Sequence, residues 1–431
     1  MNANASPVAP PGTFSSANPH ALAVIMQASE TQQIIASRDI FDISGTKLWA
    51  GNQPVTASLQ RKLLDRQLKN PLETCLMAEN GVTPLVLARC VRALMDTDTP
   101  LTALVQPHAP RIVMEAGHLP LHPVVQLLLS AAQTARPAAF NHAVQGMAVA
   151  GALMLEHGGT IAEVRLAMLG GLLHDIGEMY IDPRYGEADA DRLLDLPSYQ
   201  QLVVHPHVGQ LLLTQLTHYP AALARAVAEH HERLDGSGYP HALQRGTLSS
   251  LGRLLAVTET VCAVLRGDAP YLARVSVALR VVPGEFDLIW VSRIGDAARQ
   301  QPALHGQLAI TEVQARLTRL DAALGGTLRT ATELVELAAS PALKGALTLA
   351  CHLLGRLRTG WFASGLWSAD AIAEQDAAEV EAVEDELYFR LRGIERAVRL
   401  SAGELAEPDA ERLEALCSEI SGWAPTPAGA P

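Results

Sequence analysis

Fifteen histidines run through this chain, and four short stretches, two of them with carboxylates beside the histidines, form a pattern suited to metal binding. The first is His174-Asp175, which follows the apolar run Gly170-Gly171-Leu172-Leu173 and precedes Ile176-Gly177-Glu178. Adjacent residues on a helix point about 100° apart, so an imidazole and a carboxylate can grip one ion from neighbouring directions. The second is Glu229-His230-His231-Glu232, two consecutive imidazoles ahead of the loop Asp235-Gly236-Ser237-Gly238-Tyr239-Pro240. His205, in Val204-His205-Pro206-His207, and His142, at the opening of an apolar helix, complete the set. Neutral imidazole with carboxylate suits iron, manganese or zinc, and a carboxylate can bridge two ions. Any one of these histidines alone reads as a cap or a surface residue. Five of them with an aspartate, buried together without a cation, would leave several polar groups in need of partners. The pattern therefore points to a metal site.

The elements that must position these residues are helical. From about 120 to 295 the apolar residues recur at helical spacing between Gly, Pro and His turns, and Gly177 reads as the residue closing the His174-Asp175 helix. Nearer the start, Ile40 to Ala50 with its Ser44-Gly45 turn predicts a hairpin. Leu63, Leu64, Leu68, Leu72 and Leu76 predict a helix, as does Leu85 to Met95 after Pro84. Pro107, Pro110, Pro120 and Pro123 place a boundary near 115. A second boundary falls near Gly295 to Pro302, and Leu308 to Trp423 is again helical. There the acidic run Glu374-Gln375-Asp376, Glu379, Glu381, Glu384, Asp385 and Glu386 reads as the solvated face of an amphipathic helix. The expected organisation is a disordered tail over 1–21, a small mixed accessory domain over 22–115 and a metal-binding helical domain over 116–297. A helical C-terminal domain over 298–423 and a disordered tail over 424–431 follow. The fold class is all-α.

Composition bounds the function. With 431 residues and 48% hydrophobic content, the chain is long enough for two or three folded domains. Its 33 Lys and Arg against 45 Asp and Glu, a net charge of −12, argue against a long nucleic acid as partner. A small anionic ligand in one local pocket stays open. The five cysteines, Cys75, Cys90, Cys262, Cys351 and Cys417, form no C-x-x-C pair, so a disulfide scaffold is not expected and a cytoplasmic location is. No run reaches about 18 uninterrupted apolar residues, and no membrane span is expected.

Read together, H…HD-x-G…HP-x-x-G…HHE-x-x-DG-x-GYP resembles the HD-GYP domain, a branch of the HD superfamily of metal-dependent phosphohydrolases. The likeness runs over roughly 120–295, and HHERLDGSGYP is its most specific string. It implies an HD-type helical bundle over 116–297, two or three metal ions, and hydrolysis of cyclic di-GMP to linear pGpG or GMP. His142, His174, Asp175, His205, His230 and His231 match the family's metal ligands, with Asp175 as the bridging carboxylate and His174 and Asp175 at the heart of catalysis. Glu259 stands where the family has the first aspartate of D-x-x-D-A-L, one methylene longer, and Cys262 replaces the second. The glutamate that accompanies a third ion is Ala138 here, so two divalent ions are implied, iron or manganese ahead of zinc. Gly236, Gly238, Tyr239 and Pro240 match the loop that meets the substrate.

Three cations of the family pattern are absent. The lysine of HDIGK is Glu178, and the SDRPYR-like run is Gly267-Asp268-Ala269-Pro270-Tyr271-Leu272. Phosphodiesters gain from cations and are repelled by anions. Arg233, Arg253, Arg266 and Arg274 are the candidates to compensate, and Glu178→Lys is expected to raise nucleotide affinity. The resemblance implies a phosphodiesterase acting on cyclic di-GMP or a related small phosphodiester. The alternatives are a degenerate, non-catalytic module that binds a nucleotide or a protein, and a di-iron oxygenase. A homodimer or a signalling partner is expected to engage the C-terminal helices.

Overall fold

Proline at the first turn of a helix forfeits no hydrogen bond and presets the backbone, and in this chain prolines start helices more often than they break them. A computed structural model describes residues 14–63, 65–97, 99–183, 196–266, 271–301, 309–338, 340–363, 377–403 and 405–422. In its first third, α1 (Pro19–Ser29), α2 (Ala57–Leu63), α3 (Pro84–Met95), α4 (Pro100–Val105) and α5 (Ala109–Ala116) surround four short strands. The strands β1 (Ile34–Ala36), β2 (Ile40–Phe41), β3 (Lys47–Trp49) and β4 (Leu76–Ala78) make two antiparallel pairs, β1 with β4 and β2 with β3. The hairpin expected at 40–50 is the second pair.

The helix expected through Leu63 to Leu76 does not form. The chain leaves α2 at Leu63, Asp65 adopts φ +57°, and Pro71 opens a 3₁₀ turn at Leu72–Thr74 that leads into β4. Leu63, Leu68, Leu72 and Leu76 are all buried, so their spacing reflects burial without helix; Leu64 lies outside the described residues. The expected N-terminal tail is also shorter. Phe14 packs edge-on against Tyr180, and Asn18 caps α1 through its side chain. Residues 1–13 and 424–431 lie outside the described residues.

The central bundle comprises α6 (Pro123–Ala135), α7 (Pro137–Glu156), α8 (Ile161–Leu173), α9 (Leu196–Leu202), α10 (His205–Leu216), α11 (Ala221–Glu229), α12 (Ser250–Leu265), α13 (Leu272–Arg280) and α14 (Leu288–Arg299). Four further helices follow: α15 (Ile310–Leu337), α16 (Pro341–Ala363), α17 (Ala377–Ala402) and α18 (Glu407–Ser421). The fold is all-α with this small mixed N-terminal element. One buried apolar cluster runs from Phe14 to Ile294, and a second from Val277 to Ile420. α13 serves both, with Val275 and Leu279 in the first and Val277 in the second. By length and composition α7 could cross a membrane, but it is a mostly buried core helix.

Candidate metal centre

The centre is built on a helix crossing that only glycine permits. α7 meets α8 where Gly146 faces Gly171, and a Cβ on Gly146 would lie 2.6 Å from the Gly171 carbonyl oxygen. The backbones touch directly. His142 lies one turn before Gly146 and His174 three residues after Gly171, so the crossing brings their Nε2 atoms to 3.0 Å. α8 ends at Leu173 with His174 as its C-cap, and the chain turns at Asp175 into a 3₁₀ segment, Ile176–Tyr180. Gly177 therefore does not cap the helix, as its position had suggested. It lies flat against the His205 carbonyl at the start of α10, which carries Asp175 towards His205.

The donors form two groups that share one carboxylate. His142, His174, Asp175 and Glu259 offer one set of ligand atoms within 4.8 Å of one another, and Asp175, His205, His230 and His231 a second. All the histidines and Glu259 are buried, while Asp175 is slightly open. In the first group Glu259 Oε2 lies 2.9 Å from His142 Nε2 and 3.0 Å from His174 Nε2. In the second, Asp175 Oδ1 lies 3.2 Å from His230 Nε2 and 3.4 Å from His205 Nε2.

This donor set fits a divalent cation. The Nδ1 atoms of His174, His205 and His230 face the backbone carbonyls of Gly171, Leu202 and Val227 at 2.8, 2.7 and 2.6 Å. A carbonyl only accepts, so Nδ1 carries a proton, and in the neutral ring that a bound cation would require the Nε2 lone pair faces the centre. His205 and His230 then hold two such nitrogens 3.1 Å apart. The buried Asp175 Oδ1 accepts no hydrogen bond of ordinary geometry. Converging lone pairs and an orphaned carboxylate oxygen are the complement of a positive ion.

The electrostatics agree. Burial depresses His142, yet the carboxylates of Glu259 and Asp175 outweigh it and lift the imidazole to about 9. His174 is raised well above its ordinary value against the same burial penalty, chiefly by Asp175. Asp175 and Glu259 resist burial and stay well below the carboxylate range because histidines surround them. His230 is pushed down to about 3 by burial and by the neighbouring His231. With no ion present, protons on His142 and His174 take the place of its charge.

Two glutamates of the histidine stretch, to which the motif reading gave no role, hold the rim. Glu229 accepts from Arg225 Nε at 2.7 Å and from Ser249 N at 2.9 Å, tying the end of α11 to the N-cap of α12. Glu232 accepts from His241 N at 2.7 Å and Leu243 N at 2.8 Å, which closes the following loop. In that loop Gly236 takes φ +83°, and Gly238 presses on the backbone of Glu232. Tyr239 stacks on His231 with ring centroids 4.5 Å apart. Arg266 holds Glu259 Oε1 at 3.2 Å, leaving Oε2 for the histidines. Cys262 is buried one turn from Glu259, belongs to neither donor group, and has its thiol pushed up by burial.

A cavity of about 720 Å³ opens beside the donors. His231, Glu259, Ser237, Gly238 and Tyr239 line one side; Gly236 and Pro240 shape the loop without lining it. Arg233, Arg266 and Arg274 line it too, whereas Arg253 is turned to Asp287 at 3.2 Å. The opposite wall comes from α16 and α17, including Leu353, Arg356, Phe389 and Arg396. Glu178 is not part of this lining. It is buried against Arg136, 3.7 Å away, whose guanidinium also donates to the Glu178 carbonyl at 2.9 Å. The acidic run in α17 is likewise more than a solvated face. Glu384 is buried near Arg316 at 3.9 Å and Glu386 holds Arg390 at 2.6 Å; residues 374–376 lie outside the described residues.

Known proteins are similar in sequence to the stretch that carries these donors. The profile of the HD domain family matches residues 127–283, the stretch that carries every donor named above. A cyclic di-GMP phosphodiesterase of Pseudomonas aeruginosa is 29% identical over 231 residues, 53% of this chain and 53% of that protein. Residues 127–283 carry an HD domain. A 3'3'-cGAMP-specific phosphodiesterase of Vibrio cholerae is 30% identical over 102 residues, 24% of this chain and 21% of the relative. Among solved structures, an HDG"Y"P protein from Bdellovibrio bacteriovorus aligns with TM-score 0.35 and 14% identity, over 63% of this chain and 97% of that one. The chain spans about half, or less, of the length of these curated relatives. α15 to α18 lie beyond the HD-domain match, yet α16 and α17 wall the cavity.

Proposed function

We propose that this protein is a metal-dependent phosphodiesterase that opens a cyclic dinucleotide, cyclic di-GMP first among them, in the bacterial cytoplasm. One observation carries the reading: the Asp175 carboxylate belongs to both donor groups beside a cavity large enough for a small phosphodiester. His142, His174, Asp175 and Glu259 would hold one ion, and Asp175, His205, His230 and His231 the other, with iron or manganese ahead of zinc for this nitrogen and oxygen set. Two such ions supply Lewis-acid activation of water and of the phosphoryl group. The protein supplies the rest. Backbone carbonyls of Gly171, Leu202 and Val227 lock three imidazoles in the tautomer that faces the centre. Arg266 orients Glu259, and Tyr239 covers one face of His231 while its loop borders the cavity. Arg136 neutralises Glu178, which removes the repulsion that this substitution would impose on a phosphodiester.

The test is turnover of cyclic di-GMP followed by chromatography, on protein purified without oxygen and with its metal content measured. Linear product with about two ions per chain is the expected result, and Asp175→Asn is expected to lose both ions and turnover together. Full metal occupancy without product would overturn the substrate, and an Asp175→Asn protein that kept both ions would overturn the shared carboxylate.

A further inference from the structure

The cavity's cations are mostly spent. Arg266 serves Glu259; Arg233 reaches Glu285 at 3.4 Å and donates to the Glu232 carbonyl at 3.1 Å. Arg390 is held by Glu285, Glu386 and the Ala278 carbonyl, and Arg274 by Asp385. Arg396, on α17, differs. It lines the cavity and has no carboxylate or carbonyl partner among the described residues; its contact is the ring of Tyr199, 5.7 Å away. Tyr199 in turn packs edge-on against Tyr239 at 6.0 Å, and Tyr239 lies on His231. An aromatic row thus leads from a candidate metal ligand to an uncommitted guanidinium, across the boundary between the HD domain and the C-terminal helices.

An uncommitted cation in a cavity is a site for an anion, and guanidinium geometry suits phosphate. We propose that Arg396 binds the second phosphate of the substrate, the one not held at the metal centre, so that the C-terminal helices complete the nucleotide site. This rests on the cyclic-dinucleotide reading above. It also gives those helices a role that offsets the loss of cations from the family pattern at Ala269 and Leu272.

The experiment uses full-length, manganese-loaded protein and cyclic di-GMP, with binding measured by calorimetry across a salt series for wild type, Arg396→Gln and Arg396→Lys. Metal content and melting temperature are recorded on each sample. The expected result is about 10- to 100-fold weaker binding for Arg396→Gln at wild-type metal content, partial recovery in Arg396→Lys, and a shallower salt dependence once the charge is gone. Wild-type affinity in Arg396→Gln overturns the proposal. So does lost affinity with an unchanged salt slope, which would make the contact non-ionic, or a parallel loss of metal, which would make Arg396 structural. Failure of wild type to bind cyclic di-GMP overturns it as well. Wild-type protein that binds the nucleotide but releases no linear product refutes the phosphodiesterase reading alone and leaves this one judged by affinity.

Discussion

Replacing Gly146 by alanine tests whether the helix crossing sets the spacing of the metal donors. The new Cβ would sit 2.6 Å from the Gly171 carbonyl oxygen and 3.1 Å from His174 Cε1, where ordinary contact begins at 3.4 Å. The obstacle is backbone, which no rotamer change can clear, so α7 and α8 must part by about 0.8 Å or tilt by an equivalent amount. Overpacking of this kind costs about 1–3 kcal/mol of stability. The functional cost should be comparable, because His142 and His174 sit on opposite sides of the crossing and a displacement near 1 Å in a reacting centre costs on the order of 10²-fold in rate, about 2.7 kcal/mol. Gly171→Ala meets the Gly146 carbonyl at still closer range and should be worse. Gly326→Ala on α15 has nothing within 4 Å of its Cβ and should be neutral or stabilise by about 0.5–1 kcal/mol. Melting temperature and metal content after dialysis against a metal-limited buffer decide the matter. If Gly146→Ala lost stability but kept its ions at wild-type affinity, the crossing would not govern the donors.

Two further expectations follow from the charges. Metal binding to the His142 group must displace protons, since that imidazole titrates near 9, so affinity should fall by about tenfold per pH unit per proton as pH drops from 9 towards 6.5. His230, pushed down to about 3, adds no proton to this count; calorimetry in buffers of different ionisation enthalpy would expose the error if no protons were released at pH 7. In the metal-free protein the same His142 contributes stability that is complete below 6.5 and lost as pH rises through about 9, which thermal melts can follow. Glu178→Lys, expected from the motif to raise nucleotide affinity, should instead cost about 3–5 kcal/mol by burying a second cation beside Arg136. An unchanged melting temperature would refute that pairing.

Much of the donor set was legible because histidine and aspartate next to helix ends are rare enough to notice and carry recognisable chemistry. Both groups in the structure draw on residues singled out from the chain alone, Glu259 included. The N-terminal hairpin was legible from its Ser-Gly turn. What escaped was whatever depends on distance in space. Leucines at helical spacing between 63 and 76 are buried by irregular backbone, because Pro71 outweighs periodicity. Glu178 looked exposed to substrate, and only the fold reveals Arg136 beside it, 42 residues away. Glu229 and Glu232 were noticed beside the histidines but given no role; their work is done through backbone amides up to 20 residues on. Nothing in Arg396 or Phe389 distinguishes them from any other residues of an amphipathic helix, and they reach the cavity only through tertiary packing.

The double allegiance of α13 has a consequence for how the chain comes apart. Val277 is fastened into the C-terminal core while Val275 and Leu279, on the same nine-residue helix, are fastened into the other. Neither cluster can melt without stripping one side of that helix, so unfolding of one half is penalised by the other's loss and the two should go in a single concerted event. Residues on the two sides of the expected boundary near 298 should then unfold together. A shuffling event that carried the HD-domain segment into another protein without its C-terminal helices would leave Val277 uncovered and the cavity open on one side. Inheritance of the two halves together is the economical outcome.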